Sequence, residues 1–336
     1  MTMAERDFGR TGWRVSEIGF GAWAIGGSWG EVTEDDARAT LNAALDAGVT
    51  FLDTADVYGD GRSERLIRAV LAERGELGRE PGARPVVATK AGRRLDPHVA
   101  EGYTEAALGG FIDRSRDNLG MDTLDLLQLH CPPREVYEHD AVFDALDRFV
   151  EAGRLRHWGV SVETVEEAMR ALDRPNLASI QIIYNVFRQK PAEALFPLAK
   201  DRGVAVIVRV PLASGLLTGK MSAQTTFAAD DHRAFNRTGE AFDVGETFAG
   251  VPFEVGLAAV EALRPLVPGD AGMAQWALRW VLMDEAVSVV IPGARRPEQA
   301  RANAGAAQVP PLSRETMEAA RAVYLEHVAP HVHHRW

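Results

Sequence analysis

Apolar and polar positions along this chain follow two rhythms that take turns. Short runs rich in Val, Ile, Leu and Phe fall at 17–23, 50–53, 85–90, 124–130, 155–161, 179–185, 204–210 and 287–293. Near-continuous apolar runs of this length, several of them ending in polar residues, read as strands buried on both faces. Between them apolar residues recur at helical spacing. Thr33-Glu34-Asp35-Asp36 opens a helix carrying Ala37, Leu41, Ala44 and Leu45, and Gly48 stops it as a C′ glycine does. Asp60-Gly61 makes a turn, and Arg62-Ser63-Glu64 opens a second helix with Leu66, Ile67, Val70 and Leu71 inside. Further helices are predicted over 106–119, 141–152, 165–172, 192–200, 253–266 and 272–282, with another starting at Pro297, and a long polar insertion separates the strand at 204–210 from the helix at 253.

Strands that alternate with helices give βαβ units and a parallel sheet, and right-handed crossovers repeated eight times close into a (β/α)8 TIM barrel. An open doubly wound sheet is the competing α/β architecture. Polar residues separate the two. Trp23, Asp53, Lys90, His130, Ser161, Gln181, Arg209 and Gly293 are read at the carboxyl ends of their strands, and a barrel draws its site from many strands at that one face, whereas an open sheet uses the few at its switch point. With no internal repeat, low-complexity segment or linker in evidence, the expectation is one barrel domain over 1–336, with an N-terminal turn-rich cap and extra C-terminal helices.

Composition narrows the partners. The formal net charge of −11 over 336 residues argues against a surface for nucleic acid or acidic membrane, both of which ask for clustered Lys and Arg. Small molecules are the expected partners; the oligomeric state is not legible. The start of the chain has no apolar signal core, no run is long enough to span a bilayer, and a single Cys131 forbids an intrachain disulfide, so a cytoplasmic protein is expected.

Of the 37 basic residues only Lys90, Lys190, Lys200 and Lys220 are lysine. A chain that writes Arg almost everywhere yet ends a buried strand in Lys90 asks for an amine there, a compact charge whose pKa moves with burial. Tyr58, whose intrinsic pKa is about 10, exchanges protons slowly near neutral pH unless a cation sits beside it. Lys90 supplies the cation, Asp53 holds it, and His130 offers a hydrogen bond to a polarised oxygen. On one barrel face these four residues describe a proton-transfer site.

The run Phe51-Leu52-Asp53-Thr54-Ala55-Asp56-Val57-Tyr58-Gly59, with Thr89-Lys90, Leu127-Gln128-Leu129-His130, Gly159-Val160-Ser161, Pro211 to Lys220 and Ile291-Pro292-Gly293-Ala294, resembles the aldo-keto reductase superfamily, in the right order over nearly the whole chain. The resemblance implies a barrel that binds NADPH/NADP without a Rossmann unit, and no Gly-x-Gly-x-x-Gly follows a strand here. It implies that Tyr58 protonates a carbonyl oxygen while hydride arrives from the nicotinamide, that Lys90 and Asp53 tune Tyr58, and that His130 orients the carbonyl. For the cofactor it implies Ser161 and Gln181 at the carboxamide, Ser214, Leu216 and Lys220 near the pyrophosphate, and Gly293, Arg295, Gln299 and Asn303 around the adenosine, with Gly21, Trp23, Asp53, Arg209, Pro211 and Leu212 also on the cofactor's path. Arg295 and Arg296, before the helix start at Pro297, suit a 2′-phosphate.

Three positions depart from the family's pattern. Val162 stands where Asn is common, Ala302 where an acid touches adenine, and Arg209 where an aromatic ring stacks on nicotinamide. An Arg209 guanidinium against that ring would favour the uncharged reduced cofactor over the cationic oxidised one; turned toward the pyrophosphate it would help both alike. Trp23, Tyr58 and His130 are the expected substrate contacts, with Trp29 as a second aromatic wall or a packing residue, and the loops 24–33, 91–103 and 221–250 shape the pocket. Cys131 is expected to be a buried strand-end residue. The tail residues His327, His331, His333 and His334 lack Cys or carboxylate partners, and no metal site is expected there. The expected function is NADPH-dependent reduction of an aldehyde or ketone, reversible as an alcohol or sugar dehydrogenase. The alternative is a redox-sensing NADP(H)-binding protein that reports to a partner and turns over only incidentally.

Overall fold

The first residues form an antiparallel hairpin, β1 (Glu5–Asp7) and β2 (Arg14–Ser16), where a turn-rich cap is expected from the sequence. Phe8 in its turn is fully buried and stacks on Phe51 at 5.2 Å between ring centroids. The same cluster holds Val86, Ala88, Leu126, Ala205, Ile207 and Val289, the inward-facing positions at the amino ends of the barrel strands. The turn-rich cap is therefore the plug that closes the bottom of the barrel.

The chain is described here from a computed structural model covering residues 3–27, 29–30, 32–269 and 271–336. Eight parallel strands follow the hairpin in chain order: β3 (Phe20–Gly21), β4 (Phe51–Asp53), β5 (Val86–Ala91), β6 (Leu124–His130), β7 (Leu155–Ser161), β8 (Ser179–Ile183), β9 (Ala205–Arg209) and β10 (Val287–Val290). Each pairs with the next. The first and last strands meet through single bridges, Ile18 with Val290 and Gly21 with Gly293, with the Gly19 amide donating to the Val290 carbonyl at 2.8 Å. That closes the sheet into a barrel and excludes the open doubly wound sheet. Closure needs bare backbone at Gly21, since a Cβ there would lie 2.7 Å from the Ile291 carbonyl oxygen.

The run at 17–23, expected as one strand, is paired only briefly, and from Trp23 the chain turns into the short helix α1 (Trp23–Gly26). The other helices lie close to expectation: α2 (Glu34–Asp46), α3 (Arg62–Glu73), α4 (Glu105–Leu119), α5 (Asp140–Glu151), α6 (Val165–Ala171) and α7 (Pro191–Asp201). Their starts are set by side chains, as at Thr33, which accepts from the Asp36 amide at 3.1 Å, and at the reciprocal Thr164–Glu167 capping box of α6. After β9 the polar insertion carries α8 (His232–Phe235), and α9 (Phe253–Leu263) and α10 (Met273–Leu282) follow. The extra C-terminal helices are α11 (Pro297–Ala304), which packs on α2, then α12 (Arg314–Val323) and α13 (Ala329–Val332), joined by a wider π turn over Tyr324–Val328. Among the described residues no helix is long and apolar enough to cross a membrane.

Asp56, in the β4–α3 connection, is fully buried, and among the described residues no side chain or backbone group is hydrogen-bonded to either carboxyl oxygen. Burial first, and then the charge of Glu64, push its carboxyl up to about 7, against a weaker pull from Arg94 and Arg114. A folded-state pKa above the unfolded 3.8 means that between about pH 4 and pH 7 the folded chain keeps a proton that the unfolded chain has released, so stability falls as pH rises through that window. The gap of about three units is on the order of 4 kcal/mol when fully expressed. Asp56→Asn is expected to raise the urea midpoint at pH 8 and leave it nearly unchanged at pH 4; an equal loss at both values would show that Asp56 is stabilising as an anion.

Candidate active site

Four strands deliver one hydrogen-bonded unit to the mouth of the barrel. Lys90, one residue before the end of β5, donates to Asp53 Oδ1 at 2.5 Å, to the Thr54 carbonyl at 2.9 Å and to Tyr58 Oη at 3.3 Å. An ammonium has three protons, and here it has three acceptors. Asp53, which ends β4, accepts at its other oxygen from Gln128 of β6 (3.1 Å) and Gln181 of β8 (2.7 Å). Both members of the ion pair are buried, which only dense hydrogen bonding makes tolerable. Tyr58 sits on the loop after β4, where Gly59 at φ +60° passes the Gly26 carbonyl so closely that a Cβ would lie 2.1 Å from it. That contact locks the Tyr58 loop against α1.

The electrostatics separate the roles. Burial raises the Tyr58 phenol above its ordinary value, with the Lys90 charge opposing it, so the hydroxyl keeps its proton at neutral pH. Burial pushes the Lys90 amine down, but Asp53 and Tyr58 outweigh that and it stays charged. His130, at the end of β6, is held well below its usual value by burial, then by Arg93 and Lys90, and is therefore neutral. Its ring stands edge-on to Tyr58 at 5.9 Å, and its Nδ1 is buried without a hydrogen-bond partner among the described residues. A protonated phenol, a fixed cation behind it and a neutral imidazole beside it can donate a proton and a hydrogen bond to one oxygen.

These groups open onto a cavity of about 1170 Å³ that spans the carboxyl face of the barrel. Of the residues expected from the sequence, Gly21, Trp23, Asp53, Tyr58, His130, Ser161, Gln181 and Arg209 line its barrel-side wall, and Pro211, Leu212, Ser214, Lys220, Gly293, Arg295, Gln299 and Asn303 line the remainder. Lys90 lies behind Asp53 and Tyr58 and does not reach the cavity, and the Leu216 side chain is buried against Gly256 instead of facing it. Arg296 is exposed and outside the lining, whereas Arg295 donates to the Trp29 carbonyl at the cavity edge. Gln181 falls in the middle of β8, and Gly293 lies beyond the end of β10, where strand-end positions were expected. Trp29 lines the wall with Trp23, at 5.5 Å between centroids. Each loop expected to shape the pocket contributes, through Ala24, Arg93 and His98, and Phe242.

Three residues at the catalytic end had no sequence signal: Arg93, Glu163 and Glu246. Arg209 is not the unopposed cation that the sequence suggests. Its guanidinium lies 2.6 Å from Glu246 Oε1 and donates to the Val162 carbonyl at 2.8 Å, at the Ser161 end of the cavity. Glu246 supplies a counter-charge, which weakens the repulsion that Arg209 alone would exert on a cationic ring. Arg93 lies 3.1 Å from Glu163 and 3.9 Å from Glu246. Cys131 is buried as expected but also lines the cavity, and its Sγ lies within 4.8 Å of the Glu163 and Glu246 carboxylates. With Arg93 and Arg209 already paired to those carboxylates, this is an ion-pair network and not a cation site. In the tail, His333 meets Tyr324 Oη at 2.8 Å.

The sequence model of the Aldo/keto reductase family matches residues 17–325. Aldo-keto reductase YhdN of Bacillus subtilis (strain 168) is 32% identical over 296 residues, 87% of this chain and 85% of its own length. Among solved structures, the holo form of aldo-keto reductase AKR11C1 from Bacillus halodurans is 27% identical with a TM-score of 0.75, covering 96% of each chain. The glycerol dehydrogenase AKR11B4 from Gluconobacter oxydans is likewise 27% identical at a TM-score of 0.75, over 98% of this chain and 97% of its own.

The ion-pair network is braced from the tail. Arg188 is buried, donates to the Glu163 carbonyl at 2.6 Å and lies 3.9 Å over the Trp336 ring. Trp336 in turn packs against Gly245 and Gly250, on either side of Glu246. Trp336→Ala removes a buried aromatic side chain whose loss costs about 3–5 kcal/mol. Amide exchange over 243–250 should then speed up at least about tenfold, with β4–β6 unchanged. Uniform acceleration across the barrel would mean that Trp336 supports the whole fold and not this loop.

Proposed function

Since this chain belongs to the aldo/keto reductase family and is an NADP(H)-dependent oxidoreductase, we propose that it reduces an aldehyde or ketone to the alcohol with Tyr58 as proton donor. The observation that carries the reading is the single Lys90 ammonium bonded at once to Asp53 and Tyr58, with Tyr58 and a neutral His130 both facing the cavity. The residues also suit the cofactor. A volume of about 1170 Å³ exceeds the roughly 300–1,000 Å³ of ordinary small-molecule pockets, and the lining carries Lys220, Arg233 and Arg295 for phosphate groups. Ser161 and Gln181 face the nicotinamide end. The nitrogen of Gln181 is committed to Asp53 and Gln128, which leaves its amide oxygen to accept from a carboxamide.

When bound, NADPH supplies the hydride that the carbonyl carbon takes up. The protein does the rest. Tyr58 Oη gives its proton to the carbonyl oxygen as negative charge grows there, and Lys90 stabilises the phenolate that remains. Asp53, held by Gln128 and Gln181, keeps the ammonium fixed so that it need not reorient during the step. His130, neutral, donates an N–H to the same oxygen and leaves the positive charge on Lys90, on the far side of Tyr58. The rival reading as a redox sensor is not favoured, although such a protein can keep the same four groups.

Tyr58→Phe keeps the ring and removes the proton. NADPH binding followed by fluorescence should be nearly unchanged, while carbonyl reduction falls at least about a hundredfold, the usual scale for losing general acid catalysis; retained turnover would remove Tyr58 from that role. For the 2′-phosphate, Arg295 replaces the Arg295–Arg296 pair expected from sequence, because only Arg295 lines the cavity. Arg295→Ala is expected to weaken NADPH about tenfold and NADH by less than about threefold, read as dissociation constants. Equal losses would assign Arg295 to the Trp29 loop alone.

A further inference from the structure

Gln128 does not line the cavity, yet it touches two groups that act there. It lies in β6 beside Lys90 of β5 in the strand register, and its side chain is fully buried. Asp53 of β4, Gln128 of β6 and Gln181 of β8 stand on alternate strands, and side chains from alternate strands meet in one layer inside such a barrel. Gln128 Nε2 donates to Asp53 Oδ2 at 3.1 Å, and Gln128 Oε1 accepts from Gln181 Nε2 at 3.1 Å. Gln181 Nε2 also donates to Asp53 Oδ2, at 2.7 Å. The three side chains thus close a ring of hydrogen bonds.

One charge sets the direction of every bond in that ring. Asp53, paired with Lys90, is an anion and only accepts. Both amides must therefore turn their NH2 ends toward it, since a reversed amide would set an oxygen against the carboxylate. With its nitrogen facing Asp53, Gln128 has its oxygen left to accept the second proton of Gln181. Both N–H groups of Gln181 are then engaged, and only its oxygen is left for the cavity that Gln181 lines. Without the Gln128 oxygen, Asp53 alone would hold the Gln181 amide, and one N–H could swing toward the cavity. Without the Gln128 nitrogen, Asp53 would lose an amide donor and draw the Lys90 ammonium closer to itself. Tyr58 Oη, the longest of the ammonium's contacts at 3.3 Å, would be the one to lose it.

We infer that Gln128 is a positioning residue that joins cofactor recognition to the proton donor: it fixes the Gln181 amide with its oxygen toward the nicotinamide carboxamide, and it keeps Lys90 within reach of Tyr58. It meets neither cofactor nor substrate and acts through Gln181 and Asp53. The inference rests on the NADPH-dependent carbonyl reduction proposed above.

A cofactor analogue reads the first effect. The acetylpyridine analogue of NADPH has a methyl ketone in place of the carboxamide, so it keeps the acceptor and lacks the N–H. The wild type should bind NADPH at least about fivefold more tightly than the analogue, which leaves the buried Gln181 oxygen unpaired. Gln128→Met keeps the side-chain length and removes both hydrogen bonds, and should bring the ratio of the two dissociation constants to within about twofold of one. Gln128→Glu should restore the preference, since a carboxyl held neutral beside Asp53 has both a donor and an acceptor. Gln128→Leu removes the same groups with another shape and replaces Gln128→Met if that variant fails to fold. The second effect is read as the single-turnover rate of para-nitrobenzaldehyde reduction by the preformed NADPH complex, which should fall at least about tenfold in Gln128→Met. A wild-type ratio near one, a ratio that Gln128→Met leaves intact while both constants rise together, a loss that Gln128→Glu does not repair, or an unchanged single-turnover rate would overturn the inference while leaving carbonyl reduction standing. NADPH that the wild type neither binds nor oxidises would remove that reading and this inference with it.

Discussion

A charge pair buried inside a barrel fixes where everything around it must lie. Asp53 and Lys90 are both nearly inaccessible to water, and transferring each ion from solvent costs several kcal/mol unless the surroundings return its hydrogen bonds. Here they do. The ammonium has Asp53, the Thr54 carbonyl and Tyr58, and the carboxylate has Gln128 and Gln181 as well. Those partners come from β4, β5, β6 and β8, so the pair is tolerated only when the strands stand in one register. A slip of one residue would turn Gln128 or Gln181 out of the barrel and leave Asp53 short of donors. Tyr58 inherits its position from the same unit, because its hydroxyl is the third acceptor.

The outer ring repeats this logic with guanidinium groups. Glu246 is buried, and although burial alone would push its carboxyl up, Arg209 and Arg93 hold it below the usual range. Glu163 is pushed up to about 7, by burial first and then by Asp243 and Glu246, against the pull of Arg93 and Arg209. The difference follows from geometry, since Glu246 is shared by two arginines and Glu163 lies beside one. The members come from just beyond β5 and β7, from the end of β9 and from the insertion before α9, and Arg188 with Trp336 braces them from outside. The floor of the site is thus made by the barrel strands, and its side wall by segments far apart in the chain.

The strand run 124–130 and the run 155–161 coincide with β6 and β7, and the helix starts at Thr33 and Pro297 follow from local capping chemistry. Asp53, Tyr58, Lys90 and His130 were legible because each residue type stands at or just past the end of an apolar run, where a barrel exposes it. The hairpin at the bottom was not legible, since its strands are three residues each and its few apolar residues, Phe8, Trp13 and Val15, gain meaning when Phe51 and Val289 surround them. Nor was the wall of the site. Arg93 and Arg94 are adjacent and identical, yet Arg93 turns inward to Glu163 while Arg94 turns outward to Asp60 at 2.7 Å. Arg295 and Arg296 divide in the same way between cavity and solvent.

Local order along the chain is enough for whatever depends on sequence neighbours: the alternation of strand and helix, the direction of the sheet, and the chemistry carried to each strand end. Even the continuous apolar runs hold a period of two, but the pattern is silent about which half faces inward. Val86 and Ala88 join Phe8 inside the barrel while Val87 packs outward against the helices. Only closure of the sheet decides that, together with which of two like arginines meets a carboxylate and which acid is shared. The reason is physical. A side chain's burial and charge state are set by groups tens or hundreds of residues away, such as Gln181 on Asp53 or Glu246 on Arg209, and no local pattern encodes a distance through space.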